Sequence, residues 1–204
     1  MIRKRRVNPE FGSNCYLLGD KATGEALLID PSVPPEEMTD MLEGFEVVGI
    51  VITHSHFDHM VYLPEAVEMT SAPVMVGVED APGLQDPSIN LSIFMGRPLI
   101  CPGPDRLLVD GEAIDCGGWR FRVLKTPGHT PGSVSLVCQE AKIVVTGDTL
   151  FPESVGRTDL PGGSETELMR SLRRIINLGD DFRVLSGHGP EAFIWEIKEI
   201  NPFL

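Results

Sequence analysis

Between Thr53 and His59 the chain reads Thr-His-Ser-His-Phe-Asp-His, which sets four potential metal ligands, His54, His56, Asp58 and His59, side by side. A folded core seldom tolerates such density, because every buried imidazole or carboxylate needs its own partner. The other two histidines occur in similar surroundings, Pro127-Gly128-His129-Thr130 and Gly187-His188-Gly189, with Thr146-Gly147-Asp148-Thr149 between them. Each of these stretches follows a run rich in Val, Leu and Ile. They therefore read as loops at strand ends, where a rigid scaffold holds ligands. Any fold of this chain has to bring all five histidines, with Asp58 and Asp148, to one place, and a dinuclear metal site is the arrangement that uses them together.

The strand pattern indicates how. Short strands over 3–7, 15–18 and 26–29, separated by Gly-, Asn- and Asp-bearing turns, give an antiparallel opening. Pro34-Pro35-Glu36-Glu37 starts a helix running to Gly44, and the apolar strand 47–52 delivers the histidine cluster. A second helix is expected from His59 to about Thr70, followed by a strand over 72–76. Residues 79–105, rich in Pro, Gly, Asp and Asn, read as loop plus a short helix near Leu91 to Met95 and as a segment that covers a site. Strands follow over 107–109, 119–124, 134–138 and 142–145. A helix over 164–178 then has Ser164 as N-cap, Glu167 completing a capping box, and apolar Leu168, Leu172, Ile175 and Ile176 on one face. The strand 183–185 is expected to be the last of the core. The sum is an α/β chain of two packed sheets with helices on both outer faces, and its length suits one domain over residues 1–204.

Composition narrows the function. A formal charge of −13 argues against a nucleic-acid partner, which needs a clustered basic surface. The one basic cluster, Arg3 to Arg6, alternates like the solvent face of a strand. No apolar run is long enough to span a bilayer, so no membrane partner is expected, and the N-terminus lacks the apolar stretch of a secretory signal. A cytoplasmic location follows as the expectation, and Asn90-Leu91-Ser92 is then a chance glycosylation sequon. Cys15, Cys101, Cys116 and Cys138 have no CxxC spacing and read as free, buried thiols.

The ordered set His-x-His-x-Asp-His, His129, Asp148 and His188 resembles the metallo-β-lactamase superfamily over nearly the whole chain. That resemblance implies a four-layered αβ/βα sandwich. It also implies that His54, His56 and His129 hold one metal, Asp58, His59 and His188 a second, and that Asp148 bridges both. Asp30 matches a further acidic position of the family, where it would hold the ligand loop or a ligand histidine in place; read from the sequence alone it is equally a strand-end turn residue. The ions implied are two divalent cations, zinc foremost, with iron or manganese as alternatives. With every imidazole committed to metal, a metal-bridging hydroxide is the nucleophile available, and Asp58 and Asp148 are the carboxylates nearest the chemistry.

Within the superfamily, Gly147-Asp148-Thr149-Leu150-Phe151, Gly156-Arg157-Thr158-Asp159-Leu160-Pro161-Gly162-Gly163 and Asn201-Pro202-Phe203-Leu204 look like the single-domain glyoxalase II-like hydrolases. The implied substrate is a small-molecule thioester such as S-D-lactoylglutathione. A thiolate, with a pKa of about 8.5, leaves without much protonation, which suits a site lacking a spare acid. Three features depart from that subfamily. Only 16 residues follow His188, so the C-terminal helical domain of the larger glyoxalase II enzymes is not expected, no Lys-and-Tyr pair follows Asp148, and Met60-Val61-Tyr62 stands where small glycines are usual. Arg157 either holds a substrate carboxylate through its forked donors or pairs with Asp159. The alternatives are a mononuclear iron persulfide dioxygenase using His54, His129 and Asp148, a lactonase or other ester or lactam hydrolase of the same fold, and a metal-stabilised domain without catalysis.

Overall fold

In a computed structural model describing residues 1–204, the chain forms two six-stranded sheets laid face to face. The first contains, in spatial order, β1 (Ile2–Val7), β2 (Asn14–Gly19), β3 (Glu25–Ile29), β4 (Glu46–Ile52), β5 (Val74–Gly77) and β6 (Arg106–Leu108). β1 to β3 run antiparallel, whereas β3 to β6 are parallel neighbours. The second sheet contains β7 (Ala113–Cys116), β8 (Trp119–Lys125), β9 (Val134–Cys138), β10 (Ile143–Gly147), β11 (Arg183–Ser186) and β12 (Ala192–Phe193). Only β10 and β11 are parallel there. Helices α1 (Pro35–Leu42) and α3 (Leu63–Thr70) cover the first sheet, and α4 (Glu165–Ile176) and α5 (Ile194–Ile200) cover the second. This is the four-layered αβ/βα sandwich.

Strand alternation sorts the apolar residues into three cores. Successive side chains point to opposite faces, so a strand buried on both sides must be apolar at nearly every position. In β2, Tyr16 and Leu18 enter the space between the sheets while Cys15 and Leu17 face the α1–α3 layer. In β4, Val51 points inward and Ile50 and Ile52 point to the helices. The inter-sheet core is completed from the other side by Phe121, Val123, Leu136, Val145 and Leu185, and the α4–α5 layer packs on Val144, Phe182 and Val184.

The arginines of β1 lie on an edge strand and are tied down locally. Arg3 pairs with Glu191 at 3.0 Å, and Arg5 donates to the Gly189 carbonyl at 2.7 Å. No helix is long and apolar enough to cross a membrane. Asn90, the residue of the chance sequon, is buried and donates to the carbonyls of Gly83 and Leu99, stitching the 79–105 segment together.

Four local expectations require correction. The helix expected from His59 to Thr70 is broken: a short α2 (Phe57–Met60) is followed, after Val61 and Tyr62, by α3. Pro64 lacks the N–H that would bond the Met60 carbonyl, which instead receives the Cys101 thiol. The capping box on α4 is half formed. Ser164 accepts from the Glu167 N–H, but its own N–H already donates to Gly128, so the Glu167 carboxylate turns to Arg170. β7 was not expected; it pairs with β8 across Gly117-Gly118, a two-glycine turn that is itself a hairpin signal. The strand 183–185 is not the last, since β12 pairs with it and leads into α5, whose Ile194 and Ile197 are buried.

All four cysteines are free and buried, and burial pushes the Cys15 and Cys101 thiols up to about 12 and Cys116 to about 11. A thiol-reactive chromogenic disulfide should therefore label none of them in the native protein at pH 8 and all of them after unfolding in guanidinium chloride. Rapid native labelling would contradict the packing described.

Candidate metal centre

The ligand-bearing loops leave one edge of the sandwich. Thr53 to His59 follows β4, His129 lies between β8 and β9, Asp148 follows β10, and Gly187-His188 follows β11. β4, β10 and β11 are parallel to a neighbour at these ends, the position where open α/β sheets gather ligands. Gly187 is required by this convergence: a Cβ there would lie 2.1 Å from Asp148 Oδ1 and 2.7 Å from the His59 ring.

Three overlapping groups of ligand atoms each lie within 4.8 Å of one another: His54, His56 and His129; His54, His59 and Asp148; and Asp58, His59 and His188. Asp148 stands between the outer two groups. Its Oδ1 is 3.3 Å from His59 Nε2, and its Oδ2 is 3.5 Å from His188 Nε2 and 3.7 Å from His129 Nε2. The imidazole nitrogens also face each other, His56 Nδ1 to His129 Nε2 at 2.9 Å and His59 Nε2 to His188 Nε2 at 3.3 Å.

Partners on the far side of the His129, His59 and His54 rings orient them. The Arg157 carbonyl can only accept, so His129 Nδ1 carries the proton and its Nε2 lone pair points into the cluster. Asp30 adopts a left-handed φ of 51° at the end of β3, a region that Asp enters more readily than most residues. From there its Oδ1 accepts the Thr53 N–H at 2.8 Å, and its Oδ2 accepts the Thr53 hydroxyl at 2.7 Å and His59 Nδ1 at 2.9 Å. With its hydroxyl proton given to Asp30, Thr53 accepts from His54 Nδ1 at 3.2 Å. The lone pair of His54 is thereby left on Nε2, a buried atom with no hydrogen-bond partner, and buried Asp148 Oδ1, in ion-pair contact with His59 Nε2 at 3.3 Å, accepts no hydrogen bond. An unpaired buried acceptor costs roughly 1–3 kcal/mol. A bound cation removes that cost, so the residues present fit a metal.

The electrostatics agree. Burial, reinforced by neighbouring imidazoles, holds His54 well below its ordinary pKa, and burial beside His129 lowers His56 to about 4, so both rings offer lone pairs. His59 shifts upward: burial alone would lower it, but the Asp148 and Asp58 carboxylates outweigh burial. Asp58 is buried too, yet His59 and His188 hold its carboxyl below the usual range. The carboxylates thus favour positive charge at the position of His59, and a metal bound there would take the place of its proton.

A further carboxylate was missed in the sequence. Asp80 sits buried in a 3-10 turn (Val78–Leu84), where burial pushes its carboxyl up. It accepts from the Ser55 N–H at 2.8 Å, the Thr130 hydroxyl at 2.8 Å and the Gly132 N–H at 2.7 Å. It therefore fixes the loop of His54 and His56 against the loop of His129. The only sequence signal was an acid in a Pro- and Gly-rich stretch, a setting shared by ordinary turn residues. Arg157 lines the cleft beside the cluster, but its guanidinium is engaged by Asp159 through Nε at 2.7 Å and Nη2 at 2.6 Å.

The fold and site together define a histidine–aspartate metal centre carried on an αβ/βα sandwich. The profile of the metallo-beta-lactamase superfamily matches residues 8–188, and the chain belongs to that family. It is 33% identical to a probable metallo-hydrolase, YqgX, of Bacillus subtilis, covering 99% of this chain and 96% of that one. It is 32% identical to the hydroxyacylglutathione hydrolase GloC of Haemophilus influenzae, covering 95% and 93%. Among solved structures, the B3 metallo-beta-lactamase BLEG-1 superposes with a TM-score of 0.94 at 35% identity over 100% of this chain and 99% of that one. TTHA1623, solved in a di-iron-bound form, gives 0.88 at 34% identity over 98% and 100%.

Removing the supports should separate their roles. Asp30→Ala is expected to weaken metal binding about 10- to 100-fold in competition with a chromogenic chelator, because His59 loses the group that orients it. Asp80→Ala leaves the buried N–H groups of Ser55 and Gly132 unpaired, the Thr130 hydroxyl keeping Ser133 at 2.6 Å, and should cost roughly 2 kcal/mol or more in stability, read by denaturant unfolding. Unchanged chelator competition in the first variant would contradict the orienting role of Asp30.

Proposed function

We propose that this protein is a metal-dependent hydrolase of thioesters, with a glyoxalase II-like reaction on substrates of the S-D-lactoylglutathione class. The observation that carries this reading is the convergence of all five imidazoles and two carboxylates on one point, which leaves no imidazole free for acid–base work. His54, His56 and His129 would hold one divalent ion, Asp58, His59 and His188 a second, and Asp148 would touch both. Zinc is the first choice, and the di-iron form of TTHA1623 makes iron the main alternative. Two bound divalent ions lower the pKa of water to about 7 and polarise a carbonyl.

Hydrolysis adds water across the acyl–sulfur bond, giving a carboxylic acid and a thiol. The thiolate needs no proton to leave, whereas an amide nitrogen does. A site whose imidazoles are all turned into the cluster therefore favours thioesters over lactams, and the name of the Haemophilus influenzae relative supports the same reading. The mononuclear dioxygenase reading leaves Asp58, His59 and His188 converging within 4.8 Å without a role.

The test is hydrolysis of S-D-lactoylglutathione by protein stripped with a chelator and reloaded with zinc, iron or manganese. Turnover is expected only after reloading, and Asp148→Ala should abolish it while lowering the metal bound per chain. Retained turnover in Asp148→Ala with full metal content would sink the role given to Asp148. Oxygen uptake with a persulfide and no hydrolysis would transfer the assignment to the dioxygenase.

A further inference from the structure

A cleft of about 630 Å³ opens directly onto His56, Asp58, His129 and Asp148. Its wall is apolar, built from Phe11, Phe57, Leu91, Phe94, Met95 and Leu160. Phe11 and Phe57 meet edge to face with ring centroids 5.1 Å apart. Phe94, in a 3-10 turn (Ser92–Met95), is 79% exposed at the rim. A large apolar side chain held this far into solvent beside a reactive centre is costly unless something covers it.

The charges in the wall restrict what that occupant is. Apart from the ligands there are two, Glu10 and Arg157, and the Arg157 guanidinium is already engaged in an exposed, two-pronged contact with Asp159. Arg97 lines the adjoining cavity, not this cleft. Away from the ligands, the wall therefore offers a carboxylate no unpaired cation, and Glu10 opposes one. Of a thioester's three parts, the carbonyl would lie at the His56, Asp58, His129 and Asp148 end of the cleft, and the sulfur leaves as a thiolate. Lodging that thiolate against phenylalanines would bury a charge without a partner. The part that stays uncharged from substrate to product is the hydrocarbon of the acyl group.

Resting on the thioester reading above, we infer that this cleft selects thioesters with an uncharged apolar acyl chain, and that Phe94 is a specificity-determining residue at its rim. The lactoyl group is then a small member of the accepted class, and acids bearing a second carboxylate are rejected.

The experiment compares S-acetyl, S-butanoyl, S-hexanoyl and S-succinyl thioesters of N-acetylcysteamine, a neutral thiol, on the metal-loaded protein, with S-D-lactoylglutathione alongside. The value of kcat/KM should rise at least about tenfold from acetyl to hexanoyl, as apolar area becomes buried, and the succinyl ester should fall below acetyl. In Phe94→Ser, whose side chain is surface-exposed, the hexanoyl-to-acetyl ratio should shrink mainly through KM. Equal rates across the chain lengths, or preference for succinyl, with lactoylglutathione still hydrolysed, would overturn the inference alone. No hydrolysis of any thioester would remove the reading beneath it as well.

Discussion

The structure depends on a single constraint: five imidazoles and two carboxylates are held in contact, largely out of water, around atoms that have no partner of their own. His54 Nε2 is the sharpest instance, because the chain Asp30–Thr53–His54 fixes the proton on the other ring nitrogen and leaves this one bare. Burying such an atom costs free energy that a bound cation taking the lone pair would recover. The two sheets, their apolar interface and the carboxylates beneath the loops all serve to bring that cluster together. Asp30 sets the orientation within the first ligand loop, and Asp80 sets the distance between that loop and the loop of His129.

Much of this was legible in the sequence because the strongest signals are local. His-Ser-His-Phe-Asp-His is dense enough to reverse the ordinary reading of a histidine, and the apolar runs before each ligand loop mark buried strands. Asp30 stood out at the end of a strand. Asp80 did not, since its importance lies in reaching residues distant in the chain, Thr130 and Gly132, and nothing local separates it from a turn aspartate. The broken helix after His59 was readable from Pro64. The half-formed capping box was not, because the donor that Glu167 would have satisfied is taken by Gly128 from another loop. β12 and α5 are short, and their identity comes from packing against the second sheet.

The same division separates the chemistry from the substrate. The residues that could hold a metal follow a spacing that survives reading one residue at a time, whereas the cleft wall is gathered from Phe11, Phe57, Phe94 and Leu160, four separate segments. Arg157 illustrates the difference. Sequence left it between a substrate carboxylate and Asp159, and in the structure Asp159 holds it while its backbone carbonyl orients His129. Its main-chain role lies in the metal centre itself, an effect no side-chain motif announces.

Two ions flanking Asp148 would be seen directly by anomalous diffraction from crystals loaded with zinc. Two anomalous peaks are expected per chain, one among His54, His56 and His129 and the other among Asp58, His59 and His188, with Asp148 touching both. A single peak held by His54, His129 and Asp148, with His59 and His188 away from it, would contradict the dinuclear centre.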